Sequence, residues 1–137
     1  MSVVLDASMT VAWLFVTEDT DASHAVLRRV AADGANVPSL WRLEVANVLR
    51  NAVRRGRCDE DYAERCLERL ERLRIAVDSE TDRHAWGQTR RLACEQDLSL
   101  YDAAYLELAM RCGQPLASCD AALINAARLL GLEVLST

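Results

Sequence analysis

Short apolar runs alternate with amphipathic stretches along this chain. Val3, Val4 and Leu5 form a run that ends at Asp6 and reads as a buried strand. Ser8 is placed to cap a short helix through Val16, and residues 20 to 33 carry the period of a second helix, which Gly34 stops. Asn36 to Pro38 predicts a second, very short strand. Ser39 then caps a long helix to about Arg55, which Gly56 ends. Asp59 caps the next helix, whose apolar stripe is Tyr62, Ala63, Cys66, Leu67, Leu70 and Leu73, so the two make a helical hairpin. Ile75 to Val77 is a third strand, followed by a helix from Thr81 to about Glu95 and another that Ser99 caps and that ends near Gly113. Pro115 to Cys119 reads as an apolar strand, Ala121 to Leu130 as a helix with Gly131 after it, and Glu133 to Leu135 as the last strand.

Strand and helix alternate throughout, the pattern of a parallel sheet covered on both faces. The expected fold is α/β, a three-layer α/β/α arrangement with a central parallel sheet of four to five short strands and about seven helices. At 137 residues, with no repeat, low-complexity tract or linker, the chain reads as a single domain over 1–137. Its 51% hydrophobic and 27% charged residues are those of a globular protein, and 5 Gly with 2 Pro are too few for an all-β meander.

The charge pattern narrows the chemistry. All 16 basic residues are arginine and none is lysine, which excludes a Walker P-loop, a Schiff-base enzyme and phosphoryl-transfer sites that depend on lysine. A net charge of -5 argues against holding nucleic acid by bulk positive charge, so a polyanion has to be met by local arginines or metal ions. Cys58, Cys66, Cys94, Cys112 and Cys119 form no CxxC pair and His24 and His84 lie far apart, which disfavours structural zinc. An odd number of cysteines with no signal peptide suits a reducing cytosol, hence a cytoplasmic protein. Asp6 interrupts the first apolar run, so no stretch is long enough for a membrane.

Four carboxylates occupy telling positions. In a doubly wound sheet, ligands bind beyond the carboxyl ends of the strands where the winding reverses, and Asp6 and Asp120 both follow apolar strands at that edge. Each alone can be a plain helix N-cap. Asp102 shares a helical face with Tyr105, Leu106, Ala109 and Cys112, while Glu107 and Arg111 fall on the wet side; Ser99-x-x-Asp102 also has the spacing of a capping box, and the two roles are compatible. Glu44 lies beside Trp41 and Val48 in line with Asn47 and Asn51, with nothing basic on that stripe; Arg50, Arg54 and Arg57 fall on another face as a solvated surface. The plain alternative is an exposed Glu on a helix flank. Together the four acids are expected to converge on one pocket, where like charges need a cation between them. Oxygen ligands without His or Cys select Mg2+ or Mn2+.

Trp13, Trp41 and Trp86 are expected in core or interface packing rather than base stacking. Cys119 is expected as a small buried strand residue, His24 and His84 on helices without acid partners, and the Arg and Glu residues from Glu64 to Arg74 as helix-surface pairs.

The segments VVLDAS at 3–8, LEVANVL at 43–49, LSLYDAAYLELA at 98–109 and PLASCDAAL at 115–123 resemble, in order and spacing, the four motifs of PIN-domain nucleases, above all the VapC-type toxins of bacterial toxin–antitoxin pairs. The resemblance covers essentially the whole chain. It implies that Asp6, Glu44, Asp102 and Asp120 hold a divalent ion, with Ser8 and Ser118 as supporting hydroxyls. Some PIN nucleases carry a further carboxylate two residues after the fourth motif; here that position is Ala122, a departure from the pattern of a full second metal site. The family implies a metal-dependent endoribonuclease that cuts structured RNA, a tRNA or ribosomal RNA loop, leaving 5′-phosphate and 3′-hydroxyl ends. It further implies silencing by a cognate antitoxin and a homodimer. Without the four acids the net charge moves from -5 to -1, and Arg42, Arg90 and Arg91 are the candidate RNA contacts. Two alternatives stand beside this reading: a catalytically idle PIN-like module for dimerisation or regulation, and a nuclease of DNA flaps or single strands.

Overall fold

A computed structural model describes residues 2–136, apart from the side chain of Val16. Five strands form one sheet in the order β3-β2-β1-β4-β5. They are β1 (Val3–Leu5), β2 (Ala35–Val37), β3 (Ile75–Val77), β4 (Leu116–Ala117) and β5 (Val134–Leu135), and every neighbouring pair is parallel. The register places Val4 opposite both Asn36 and Leu116, so β1 is flanked on both sides. That explains its unbroken apolar sequence: Val3, Val4 and Leu5 are all fully buried.

The helices are α1 (Ala7–Leu14), α2 (Asp21–Asp33), α3 (Trp41–Arg54), α4 (Glu60–Glu71), α5 (Thr81–His84), α6 (Arg90–Gln96), α7 (Leu100–Cys112) and α8 (Ala121–Leu129). Between α5 and α6 the stretch Ala85–Thr89 is a π-turn bent at Gly87 (φ −104°, ψ −106°), so the single helix expected from Thr81 is a kinked one. Counted as one, it brings the total among the described residues to seven. From β1 the chain winds outward through β2 to β3, then returns to place β4 on the other side of β1. With right-handed crossovers, that reversal sends the later helices to the opposite face. Accordingly α1 packs on α2 and α3, whereas α7 packs on α6, α8, β1 and β4.

Several local boundaries differ from the sequence reading, each for a physical reason. Ser8 lies inside α1, whose N-cap position is Asp6. Leu40, not Ser39, precedes α3, and the Ser39 N–H donates to Thr81 Oγ1 at 3.0 Å. Strand β4 is cut to two residues by its pairing, so Cys119 lies beyond it and is only partly buried. Glu107, expected in water, is 4% exposed. Arg111 donates to both its carboxylate oxygens, at 2.8 and 3.0 Å, and reaches Asp78 at the end of β3 at 2.6 Å. That guanidinium also holds the Asp78 carboxyl below its usual range.

Gly34 ends α2 at φ 80° and ψ −179°, a region essentially confined to glycine. A Cβ there would stand 2.8 Å from the carbonyl oxygen of Arg74, the acceptor for the Ala35 N–H where β2 meets β3. Gly34→Ala is therefore expected to destabilise the fold by about 1–3 kcal/mol. Gly113→Ala, at φ 63° with open space around it, should cost only about 1 kcal/mol. Urea midpoints measure both, and equal shifts would contradict the Arg74 contact.

Candidate active site

The winding reverses between β1 and β4, and the residues leaving those two strands meet there. Asp6 is 4% exposed. Although it occupies the N-cap position of α1, its side chain makes no cap bond. Its Oδ2 instead accepts from Ser8 Oγ at 2.6 Å and from Ser118 Oγ at 2.8 Å. Each serine is oriented from behind by a backbone donor. The Cys119 N–H reaches Ser8 Oγ at 2.9 Å, and the Asp120 N–H reaches Ser118 Oγ at 3.0 Å. With their lone pairs engaged by those amides, both hydroxyls turn their protons toward Asp6.

The other acids arrive from different elements. Asp120 does cap α8, its Oδ1 accepting from the Leu123 N–H at 3.0 Å. Ser99 caps α7 by accepting from the Asp102 N–H at 3.1 Å, which leaves the Asp102 carboxyl one turn inside the helix start. Glu44 sits in the first turn of α3, and its Oε1 accepts from the hydroxyl of Tyr105. All four carboxylates line one cavity of about 660 Å³, together with Ser8, Glu18, Asn47 and Cys119 among others, and no cationic side chain lines it. Among the described residues no three His, Cys, Asp or Glu side chains close on a common point as a ready-made metal cluster. The carboxylates therefore face one another across an open space.

A PIN domain family model matches residues 3–129. The chain belongs to the PIN-domain family. Ribonuclease VapC3 of Pyrobaculum aerophilum is 34% identical to it over 122 residues, which is 88% of this chain and 90% of that protein. Among solved structures, PAE2754 from Pyrobaculum aerophilum has a TM-score of 0.71 at 23% identity, covering 98% of this chain and 90% of its own. FitAcB from Neisseria gonorrhoeae has a TM-score of 0.67 at 16% identity, covering 97% and 96%. These two likenesses are of fold. The family and the VapC relative together make the chain a VapC-type PIN-domain nuclease.

The electrostatics of the PIN cavity follow from its acids. Burial pushes the Asp6 carboxyl above its ordinary range against the pull of Ser8 and Ser118, and Asp120 pushes the same way. Burial raises Glu44 as well, opposed by the Tyr105 hydroxyl and reinforced by Asp6 and Asp102. Asp102 is raised by burial, then by Asp120 and Asp6. Asp6, Glu44 and Asp102 thus each feel at least one other carboxylate of the cavity.

The remaining candidates of the PIN chain fall outside this cavity. Arg42 pairs with Glu71 at 2.9 Å beside an apolar groove between α3 and α4. Arg90 and Arg91 are exposed on α6. Trp41 is core, with its indole N–H on Thr10 Oγ1 at 3.1 Å, and the partly buried Trp13 donates to the Ser23 carbonyl. Trp86 is 91% exposed and is not core. His24 does have an acid partner, Asp19 at 2.7 Å, because the chain enters α2 with Asp19 folded back over its first turn. Between Glu64 and Arg74 the expected helix-surface pairs give way to other contacts: Arg65 lies over the Tyr62 ring, Arg69 reaches Cys66 Sγ and Glu71 reaches across to Arg42. No disulfide joins the described cysteines.

Sequence reasoning placed Tyr105 on the face of Asp102 but missed its bond to Glu44. The available signal was a hydroxyl three residues from an acid on a buried stripe.

Asp6, Glu44 and Asp102 bind protons more tightly folded than unfolded. Their contribution to stability is full below their ordinary values, 3.8 for Asp and 4.5 for Glu, and is lost as pH rises through the raised folded values. Without divalent cations, Asp102→Asn is expected to raise the melting temperature at pH 7, with the gain shrinking toward pH 4. Calorimetry across that range checks it, and a variant less stable than wild type at pH 7 would contradict the repulsion.

Proposed function

We propose that this VapC-type PIN domain is a Mg2+-dependent endoribonuclease, with Mn2+ able to substitute. It hydrolyses phosphodiester bonds in structured RNA such as tRNA or ribosomal RNA loops, and is the toxin of a toxin–antitoxin pair. The observation that carries this reading is the convergence of Asp6, Glu44, Asp102 and Asp120 on one cavity with no cationic side chain in its wall. The donor set is hard oxygen throughout. Its open spacing suits magnesium, which keeps several waters and takes only one or two carboxylates directly.

Asp6 would be the fixed ligand, since two serines hold its carboxylate and keep it from turning. Glu44, Asp102 and Asp120 would hold the ion and its waters from the other walls. A bound divalent ion supplies a water of lowered pKa and neutralises charge growing on the phosphodiester. The chain's own part is to hold the ion and its waters at the cavity, where a phosphodiester can approach them. Arg90 and Arg91 would contact RNA backbone; Arg42, engaged by Glu71, would have to leave that partner to do the same.

On this reading a cognate antitoxin silences the enzyme, which acts in the cytoplasm. Among the described residues no helix is long and apolar enough to cross a membrane. A homodimer is supported by an exposed apolar patch in which Trp86, Leu100 and Tyr101 border a cleft of about 270 Å³. Trp86→Glu should convert the dimer to monomer in light scattering, and an unchanged mass would remove Trp86 from the interface.

Asp6→Asn or Asp102→Asn should lower cleavage of RNA hairpins at least about 100-fold with the fold intact, comparable to deleting one group that stabilises a transition state. EDTA should abolish cleavage and Mg2+ restore it. Retained activity in either variant would exclude this site. Cutting of matched DNA hairpins instead would select the flap-nuclease alternative. Neither cleavage nor a Mg2+-dependent thermal shift would select the idle module.

A further inference from the structure

Tyr105 is wholly buried, and its hydroxyl donates from the core to Oε1 of Glu44, whose carboxylate lines the acidic cavity. The two residues are 61 positions apart and lie on α7 and α3. Asp102, one turn earlier on α7, presents its carboxyl to the same cavity. One helix thus supplies both an acid and the clamp on the acid opposite. Each of three carboxylates has one oxygen engaged by a protein donor: Oδ2 of Asp6 by Ser8 and Ser118, Oδ1 of Asp120 by the Leu123 N–H, and Oε1 of Glu44 by Tyr105.

The donors are not equivalent in rigidity. Asp6 and Asp120 have short side chains next to strand ends, whereas Glu44 has three rotatable bonds on a helix flank and only partial burial. Without its clamp, nothing in its own side chain would keep the Glu44 carboxylate over the cavity, where it meets repulsion from Asp6 and Asp102, instead of swinging to solvent.

We propose that Tyr105 is a positioning residue of the active site: its buried hydroxyl fixes the rotamer of Glu44 and leaves Oε2 as the oxygen offered to a divalent cation. This rests on the metal-dependent reading above. Outer partners of this kind commonly set metal affinity within a factor of 10–100. The ring belongs to the core, but the hydroxyl faces a carboxylate, so the two roles separate in Tyr105→Phe.

The test is calorimetric titration of Mn2+ into the full chain, as wild type, Tyr105→Phe, Glu44→Gln and the double variant, with melting temperatures and metal-dependent cleavage of an RNA hairpin alongside. Tyr105→Phe should weaken Mn2+ binding about 10-fold and raise the Mn2+ concentration for half-maximal cleavage, while saturating metal restores most of the rate. In the Glu44→Gln background the same substitution should add little, because Tyr105 acts through that carboxylate. Equal Mn2+ affinity for wild type and Tyr105→Phe would overturn the proposal and leave the nuclease reading standing, as would equal losses in both backgrounds. Wild type that binds no Mn2+ would overturn both. Should Tyr105→Phe not fold, Glu44→Asp shortens the reach to the hydroxyl from the other side, and unchanged affinity there overturns the proposal equally.

Discussion

A carboxylate at the end of a fully buried strand is a costly thing to fold around, and Asp6 is that carboxylate. Leaving water without partners would expel it or keep it protonated. Two serine hydroxyls, each aimed by a backbone amide from the β4–α8 turn, replace the lost water. The same amides belong to the turn that presents Asp120. Satisfying Asp6 and placing the second acid are therefore one structural act, and both depend on β1 and β4 lying side by side. The Asp6 N–H to Ala117 carbonyl bond at 2.9 Å closes that junction.

Around this point the fold gathers like charges rather than dispersing them. Four carboxylates face one cavity with no arginine in its wall, although the chain has 16 arginines. Elsewhere those arginines neutralise acids efficiently: Arg111 bridges Asp78 and the buried Glu107, joining α7 to the end of β3. An acid cluster left without a cationic partner costs stability, a cost that a cation between the acids would offset.

Helix α7 connects the two. Its first turn carries Asp102, its second the Tyr105 hydroxyl that reaches Glu44, and its last the Arg111 that fixes it to β3. A shift of this helix would disturb two walls of the cavity together, so its anchoring remote from the acids also bears on their geometry.

Much of this was legible in the chain itself. Strand–helix alternation and uninterrupted apolar runs specify a parallel sheet, because a strand buried on both faces has no use for polar alternation. An acid directly after such a run is then forced to the carboxyl edge of the sheet, which is why Asp6 and Asp120 stood out; Ser8 and Ser118 were implied only by the likeness to the PIN motifs. What remained hidden is whatever depends on a partner distant along the chain. Glu107 reads as a surface residue until packing buries it and Arg111 joins it to Asp78. Tyr105 reads as core until α3 brings Glu44 within reach. Trp86 reads as core or interface, and only the structure shows it exposed. Local periodicity reports which face of an element is apolar and where the element ends; the identity of the group across the gap arises only when elements 30 to 60 residues apart are packed, because it is set by strand order and helix placement.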